Sequence, residues 1–291
     1  MGDPVPNSAT TSHATSNRVR TASVRNFLMC APEHFRAGHP VNSLTNSSTP
    51  AGTGLATRQW ENLRDTYRLL GHTVSLLDPI PGLADMVFAA DGGFSLDGRA
   101  YVARFASPGR QPEARAFYDW FNSHGFDTHL PGWVNEGEGD FAVIGGVILA
   151  ATGFRTERDS HAEIAKIFGR EVLSLTLVDP RFTHLAVALA VLDSEAESGP
   201  GRIAYFPAAF DHTGQAVLAR RFPEAIIVDE EEAALLALNS VSDGRHVVVS
   251  ESAPRYIHQL LANGYTPVPV DLSVLQNGGG GIKCCTQELR R

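Results

Sequence analysis

Short apolar runs, separated by glycine, proline and polar residues, recur along the chain in a constant order. Residues 56–70 carry large apolar side chains at helical spacing and end before Gly71, which is typical of an amphipathic helix and its C-cap. A short strand is predicted at 72–76, followed by a hairpin whose turn is Asp97-Gly98 and by a helix at 112–124. This pattern predicts one supersecondary unit of strands and helix.

The same unit recurs through the rest of the chain. The later helices are predicted at residues 160–168, 215–221 and 253–262, and the first strands of the later hairpins at 139–144, 184–192, 235–241 and 284–289. The last of these strands needs residues 26–30, from the other end of the chain, to complete its sheet. We count about five ββαβ-like units, none long enough to bury a core alone, so we expect an α/β ring around a central channel.

The candidate chemical residues also recur at one place, where each loop enters the first hairpin strand. Going along the chain, they are Asp85 and Asp91, then Glu136 to Asp140, then His184, then Asn239 and finally Cys284. In a closed ring these positions converge on the axis. We therefore expect a thiol, an imidazole and carboxylates to meet at one end of the channel.

Four consecutive glycines, Gly278 to Gly281, precede a cysteine pair, Cys284-Cys285. Such a run costs backbone entropy, so it is expected where the chain takes positive φ or where another group approaches closely. The glycines deliver Cys284 to the start of a segment with the character of a strand. The pattern favours a nucleophilic thiol, and the alternative is a buried cysteine beside a flexible turn.

Composition limits the classes of function. The 291 residues are 43% hydrophobic and 19% charged, which suffices for one large domain, predicted at 24–291. Residues 1–23 are rich in Ser, Thr and Asn and are expected to form a disordered tail. A net charge of -8 argues against nucleic-acid binding, and no apolar run approaches the roughly 20 residues of a membrane span. Three cysteines make no disulfide framework, which favours the reducing cytoplasm.

The acidic stretch from Glu136 to Asp140 alternates carboxylates with glycines. It is interpreted either as an acidic turn or as a carboxylate-lined pocket for a cation. We predict no metal site, because no complementary His/Asp spacing accompanies it, and no cofactor, because no GK[ST] follows the glycine run. A thiol, an imidazole and a carboxylate are the groups of nucleophilic catalysis: the thiolate attacks and the imidazole moves protons.

Six short motifs occur in a fixed order along the chain: Met29-Cys30-Ala31-Pro32, Asp85-Met86-Val87-Phe88-Ala89-Ala90-Asp91, Glu136-Gly137-Glu138-Gly139-Asp140, Gly153-Phe154-Arg155-Thr156, His184-Leu185 and Gly281-Ile282-Lys283-Cys284-Cys285-Thr286. Over residues 26–289 the chain thereby resembles the guanidino-group-modifying enzyme superfamily, which has the pentein fold. Within it, the motifs are most similar to those of the dimethylarginine dimethylaminohydrolases. The resemblance implies a five-bladed α/β propeller, in agreement with the repeat.

The resemblance also implies roles for particular residues. The implied catalytic residues are Cys284 as nucleophile, His184 as general acid and base, and Glu136 as third member, with Glu138 as its rival in the same loop. The implied substrate-binding residues are Asp91 on the guanidinium, Asp85 and Phe88 as pocket walls, and Arg110 and Arg155 on the substrate's α-carboxylate. The implied partner is a small guanidino compound, and a homodimer is compatible with the family.

Two positions depart from the family's pattern. Bacterial relatives often read His-Leu-Asp where this chain has His184-Leu185-Ala186, and they often have Asn where it has Asp91. Losing a carboxylate at 186 leaves apolar room that suits an N-substituted guanidine. We therefore expect a cysteine-dependent amidinohydrolase that converts Nω,Nω-dimethylarginine to citrulline and dimethylamine through a thiouronium intermediate. The alternatives are an arginine deiminase-like hydrolase, an amidinotransferase and an inactive guanidino-compound binding protein.

Overall fold

A computed structural model describes residues 20–36, 53–194 and 201–291. Most of the predicted tail, 1–23, lies outside the described residues. The strands are β1 Asn26–Cys30, β2 Thr73–Leu77, β3 Gly93–Leu96, β4 Arg99–Val102, β5 Asp127–His129, β6 Phe141–Ile144, β7 Val147–Thr152, β8 Glu171–Thr176, β9 Leu189–Asp193, β10 Arg202–Tyr205, β11 Ile226–Ile227, β12 Val241–Ser242, β13 His246–Ser250, β14 Thr266–Val270 and β15 Gln287–Glu288.

Eight α-helices and four short 3₁₀ turns connect the strands in these described segments. The helices are α1 Thr53–Leu69, α2 Glu113–Ser123, α3 Asp159–Phe168, α4 Leu185–Ala188, α5 His212–Arg221, α6 Glu230–Ala234, α7 Pro254–Ala262 and α8 Ser273–Asn277. The 3₁₀ turns are Ala84–Val87, Ala89–Gly92, Gly137–Gly139 and Pro207–Ala209. None of the described helices combines the length and the apolar character that crossing a bilayer requires.

Five three-stranded sheets are built on one plan. Their strand orders are β15-β1-β2, β3-β4-β5, β6-β7-β8, β9-β10-β11 and β12-β13-β14. In each sheet the first two strands pair antiparallel, and the third pairs parallel with the second after a helical crossover. The predicted ring of ββαβ units, a five-bladed α/β propeller, is confirmed.

The ring closes where the two ends of the chain meet. β15 pairs antiparallel with β1, so that Leu28 lies opposite Gln287. The first strands of neighbouring sheets also contact one another, as β15 with β3, β6 with β9, and β9 with β12. A small cavity of about 70 Å³ lies among these strands and is lined by Leu189, Val191 and Val241. These strands therefore surround the predicted central channel.

Sequence patterns explain much of the local structure. Asp97 and Gly98 take φ angles of 52° and 74°, as the predicted two-residue hairpin turn between β3 and β4 requires. Helix α1 buries Trp60, Leu63 and Tyr67, each at most 2% exposed, on the face predicted from their spacing. The burial of these three side chains fixes α1 against the core.

The principal departure from the predicted elements lies where each first strand begins. The apolar run 184–192 was predicted to be one strand, but its first part forms α4 and only Leu189–Asp193 is β9. The predicted strand at 235–241 is a turn that reaches β12 only at Val241. The predicted strand at 284–289 is a turn through Cys285, followed by the two residues of β15. In each case the candidate residue lies in or next to a turn that precedes the strand, and not within the strand itself.

Candidate active site

The glycine run brings the loop before Cys284 against its neighbours. Gly279 takes φ 111°, a backbone conformation that favours glycine. At Gly280 a Cβ would lie 2.5 Å from Cε1 of Phe88 and 2.9 Å from Cβ of Cys284. Both reasons expected for such a run, positive φ and close approach, are therefore present. Phe88, predicted to shape the pocket, packs on the loop that carries Cys284.

Cys284 lies in the turn between α8 and β15 and is 3% exposed. Its placement on a strand was wrong, because the Cys285 N–H donates to the carbonyl of Gly281 and closes a helical turn there. Burial raises the pKa of the Cys284 thiol to about 12, and the charge of Asp91 acts in the same direction. We therefore expect the thiol to be protonated at neutral pH as long as no cationic ligand is bound beside it.

His184 and Glu136 form a buried pair. His184 immediately precedes α4, and its Nε2 donates to Oε2 of Glu136 at 2.9 Å. Burial would lower the pKa of His184, but the negative charges of Asp91, Asp140 and Glu136 outweigh it and raise that pKa to about 9. Burial would raise the pKa of Glu136, yet its bond to His184 holds it below its usual range. The pair is therefore an imidazolium and a carboxylate at neutral pH.

Asp91 and Glu136 each keep one buried oxygen unused. Oδ2 of Asp91 accepts from Nη1 of Arg110 at 2.7 Å, and Oε2 of Glu136 accepts from His184. Oδ1 of Asp91 and Oε1 of Glu136 are buried without a hydrogen-bond partner among the described residues. Nη1 of Arg155 lies 4.0 Å from this Glu136 oxygen, beyond hydrogen-bond distance. Buried, unpaired carboxylate oxygens are costly unless a donor arrives, which indicates a site for a cation.

The acidic stretch forms the wall between these groups. At Gly139 a Cβ would lie 2.6 Å from Oδ1 of Asp91 and 3.1 Å from Cδ2 of His184. A side chain at this position would fill the space that the cation needs. Three polar atoms lie within 4.8 Å of one another: a carboxylate oxygen of Asp91, a carboxylate oxygen of Glu136 and a ring nitrogen of His184. This spacing is compatible with a metal ion or with an organic cation. A protonated His184 cannot coordinate a metal, which favours the organic cation.

Arg110 was predicted to bind the substrate's α-carboxylate together with Arg155. In the structure Arg110 is 4% exposed and lies between Asp91 and Glu113, with Nη2 donating to Oε2 of Glu113 at 2.9 Å. It also donates to the main-chain oxygen of Asp85 at 3.3 Å. Arg110 therefore holds Asp91 in place, and its contact with a substrate carboxylate stays a prediction.

A cavity of about 590 Å³ opens beside this ion pair. It is lined by Asp85, Arg110 and Glu113, with Phe35 on another wall. Asp85 thus borders a space large enough for a small molecule, next to the Arg110 side chain that pairs with Asp91. Glu113 was not among the predicted site residues, although its position three residues after Arg110, at the start of a predicted helix, was a usable signal. Burial raises the pKa of Glu113 to about 7, against the charge of Arg110.

The structure separates Glu136 from its rival, Glu138. Oε2 of Glu138 accepts from Nζ of Lys283 at 2.6 Å and from the N–H of Glu288 at 2.8 Å, and Arg290 pairs with its other oxygen. Burial would raise the pKa of Glu138, but the charges of Arg290 and Lys283 hold it below its usual range. Glu138 is a structural ion-pair partner near β15, and Glu136 is the carboxylate beside His184.

Two further polar residues complete the site and were not assigned a role from sequence. Asp140 is fully enclosed, accepts from Oγ1 of Thr156 at 2.7 Å and from the N–H of Leu185 at 3.1 Å, and so anchors the turn that begins at His184. Asn239, singled out only by its place in the repeat, contacts Cys284 directly. Neither contact could be read from spacing, because the partners lie 16 to 45 positions apart.

The chain is similar to known proteins over nearly its whole length. No protein-family model matches the sequence. A dimethylarginine dimethylaminohydrolase from Mycobacterium tuberculosis is 45% identical over 93% of this chain and 87% of its own length. The bifunctional arginine dihydrolase/ornithine cyclodeaminase ArgZ from Synechocystis is 33% identical over 89% of this chain, which spans 37% of that longer protein.

Solved structures agree with the sequence relatives. The N-terminal domain of ArgZ, covalently bound to a reaction intermediate, matches with a TM-score of 0.86 and 30% identity over 92% of this chain and 98% of that one. A dimethylarginine dimethylaminohydrolase adduct with S-methyl-L-thiocitrulline matches with a TM-score of 0.75 at 16% identity, over 92% of this chain and 100% of that one, and shows the fold alone.

The class is therefore the pentein superfamily, whose members share this propeller of five small sheets. Within this superfamily, the 45% sequence identity over 93% of the chain shows the family: the chain belongs to the dimethylarginine dimethylaminohydrolases.

Proposed function

We propose that the protein is a cysteine-dependent amidinohydrolase that converts Nω,Nω-dimethylarginine to citrulline and dimethylamine. The observation that carries the proposal is the pair of unused, buried oxygens on Asp91 and Glu136 beside an imidazolium, His184, and a thiol, Cys284. A guanidinium presents planar N–H donors that satisfy both oxygens at once. The 45% identity to a dimethylarginine dimethylaminohydrolase supports the same substrate.

The reaction follows from these groups. With the guanidinium held by Asp91 and Glu136, the Cys284 thiol gives its proton to solvent, and the resulting thiolate adds to the central carbon of the guanidinium. The imidazolium of His184 gives its proton to the dimethylamino nitrogen, the C–N bond breaks, and dimethylamine leaves a cationic thiouronium on the sulfur. Neutral His184 then takes a proton from water, whose oxygen adds to the same carbon. The C–S bond breaks and the remaining hydroxyl proton goes to solvent, which leaves citrulline. The thiolate regains a proton from solvent as the product departs, and the dimethylamine released earlier takes up another as dimethylammonium.

The pair formed by His184 and Glu136 suits the first proton transfer. A pKa of about 9 keeps His184 charged at neutral pH, so the acid is ready before the thiolate attacks. Glu136 stabilises that imidazolium through its Oε2, while its free Oε1 remains for the substrate. One carboxylate therefore serves both the proton donor and the cation.

Ala186 supports a substituted guanidine over arginine itself. It is 6% exposed and lies two residues after His184, at the position where the resemblance implies a carboxylate that would add charge beside the guanidinium. The second candidate function is an arginine dihydrolase, which the likeness to ArgZ favours.

A panel of guanidines decides between these functions. We expect citrulline with dimethylamine from Nω,Nω-dimethylarginine, and at least about tenfold lower kcat/KM for arginine, because the pocket has lost a polar partner for an unsubstituted nitrogen. Released amines are identified by mass spectrometry. Ornithine and ammonia from arginine at the higher kcat/KM would select the dihydrolase. Turnover only with an added acceptor amine would select an amidinotransferase, and binding without turnover a silent binding protein.

The state of the thiol provides a separate prediction. Because burial and Asp91 raise the pKa of Cys284 to about 12, we expect substrate-assisted activation, in which a bound cation creates the thiolate. Alkylation of the free enzyme by iodoacetamide should rise only above about pH 8, the range of an ordinary or raised thiol pKa. A slowly reacting cationic amidine should form an adduct with Cys284 at neutral pH. An alkylation pKa well below about 7 in the free enzyme would show a preformed thiolate–imidazolium pair and contradict this prediction.

Other parts of the proposal concern the whole protein. We assign residues 24–291 to one catalytic domain and place it in the cytoplasm, consistent with three buried, free thiols at Cys30, Cys284 and Cys285. A homodimer stays a prediction, and sedimentation of the purified protein measures it.

A further inference from the structure

The fourth repeat contributes Asn239 at the place on the ring where other repeats contribute the reactive groups. Asn239 is 1% exposed, and its carboxamide makes three hydrogen bonds. Oδ1 accepts from the N–H of Cys284 at 3.2 Å, and Nδ2 donates to Sγ of Cys284 at 3.2 Å and to the main-chain oxygen of Ala186 at 2.9 Å. Only this orientation of the carboxamide satisfies an N–H donor and a carbonyl acceptor together, so the assignment of its oxygen and nitrogen is determined.

We propose that Asn239 is a catalytic residue of the proposed amidinohydrolase, which holds Cys284 by its peptide and stabilises the sulfur anion by its Nδ2–H. This inference rests on the proposed function. The sulfur is negative before attack and again when the C–S bond breaks. A hydrogen bond to a charged acceptor is roughly twice as strong as one to a neutral acceptor, so this contact strengthens when the thiolate forms.

The carboxamide of Asn239 is an uncharged donor, which suits a site that must also bind a cation. A cation beside the sulfur would stabilise the thiolate but would also repel the guanidinium that Asp91 and Glu136 attract. Lys283 is one neighbouring cation, and its Nζ is paired with Oε2 of Glu138 at 2.6 Å. The imidazolium of His184 is likewise paired, with Oε2 of Glu136 at 2.9 Å. Asn239 supplies a donor without adding charge, so the thiolate is stabilised while the substrate's cation remains free to enter.

The backbone around Asn239 is arranged for this contact. Leu236, three residues before it, takes φ 58°, which is strained for a leucine, and its carbonyl accepts from the N–H of Asn239 at 3.0 Å. On the other side, a Cβ at Gly281 would lie 2.8 Å from Oδ1 of Asn239. The last glycine of the run therefore leaves the space that the carboxamide occupies. Strain on one side and a missing side chain on the other both place Asn239 against Cys284.

The test measures the thiol and the turnover separately. Asn239→Ala removes the donor, and we expect kcat to fall about 10- to 100-fold with KM changed less than about threefold, because the lost bond acts on the sulfur and not on the bound substrate. Alkylation of Cys284 by iodoacetamide at about pH 9 should slow about tenfold, since less thiolate forms without the hydrogen bond. The exposed Asn122→Ala is the matched control and should leave both rates unchanged.

A second variant keeps the carboxamide and crowds it. Gly281→Ala should displace Oδ1 of Asn239, and both rates should fall in the same direction by about three- to tenfold. Thermal unfolding of each variant shows whether it is folded. If Asn239→Ala does not fold, Gly281→Ala alone tests the proposal. Unchanged alkylation in the folded variants, or a raised KM at unchanged kcat, would overturn the proposal. The alkylation rate needs no substrate, so the role of Asn239 on the sulfur can fail or hold independently of the proposed function.

Discussion

Cys284→Ser is expected to abolish turnover, whereas Cys285→Ser should retain most of it. A hydroxyl is a far weaker nucleophile than a thiolate, and loss of a nucleophile typically costs at least about 10³-fold in kcat. Sγ of Cys284 accepts a hydrogen bond from Asn239, and the negative charge of Asp91 raises the pKa of this thiol. Cys285 is fully buried, and burial raises its pKa well above the usual range, so it is not the group that ionises first.

Kinetics and the mass of the intact protein distinguish the two cysteines. After a quench during turnover, the wild type and Cys285→Ser should carry the mass of a thiouronium adduct, and Cys284→Ser should not. Cys285→Ser places a hydroxyl in an apolar site, so it should lower the melting temperature while kcat stays within about threefold of wild type. If Cys285→Ser were the inactive and unlabelled variant, the assignment of the nucleophile would be reversed.

The repeat of strands and helices could be predicted because it depends on local periodicity. Helix α1, for instance, needed only apolar side chains at helical spacing and a glycine at its end. The closure of the ring by β15 could also be predicted, because the last unit lacked a partner strand. What periodicity missed was the start of each first strand. The run from Leu185 to Leu192 is apolar throughout, so an α-turn followed by a strand could not be distinguished from one buried strand.

The site could be predicted where one residue per repeat was enough. Cys284, His184, Glu136 and Asp91 meet at one place because the ring brings corresponding positions together. The contacts between side chains could not be predicted in the same way. That Arg110 pairs with Asp91 and Glu113, 19 and three positions away, depends on how a loop folds over the cavity. In the turns that precede the first strands, successive side chains do not alternate between two faces as they would on a strand, so their directions could not be predicted from a strand pattern.

Removing either carboxylate of the cation site should lower kcat/KM by more than tenfold. Truncating one partner of a buried charge pair costs about 2–5 kcal/mol, and about 1.4 kcal/mol already corresponds to tenfold. Asp91→Asn removes the negative charge next to Arg110, and Arg110 remains paired with Glu113. The loss of kcat/KM in this variant should therefore come mainly from a higher KM. Glu136→Gln also removes the carboxylate that accepts the hydrogen bond of His184 and holds this proton donor, so the loss of kcat/KM should come mainly from a lower kcat.

The pH profile tests how both carboxylates act on His184. Asp91 and Glu136 both raise the pKa of His184, so that pKa falls when either negative charge is removed. The proton donor is then lost at lower pH, and the basic limb of kcat should move to lower pH in Glu136→Gln and in Asp91→Asn. Asp119→Asn, which removes an exposed carboxylate paired with Arg115 on the surface, is the control for loss of one negative charge and should match the wild type. Steady-state kinetics between about pH 6 and 10 cover the raised pKa of His184. Wild-type values of kcat/KM in both Asp91→Asn and Glu136→Gln would rule out this pair of carboxylates as the binding site for the guanidinium.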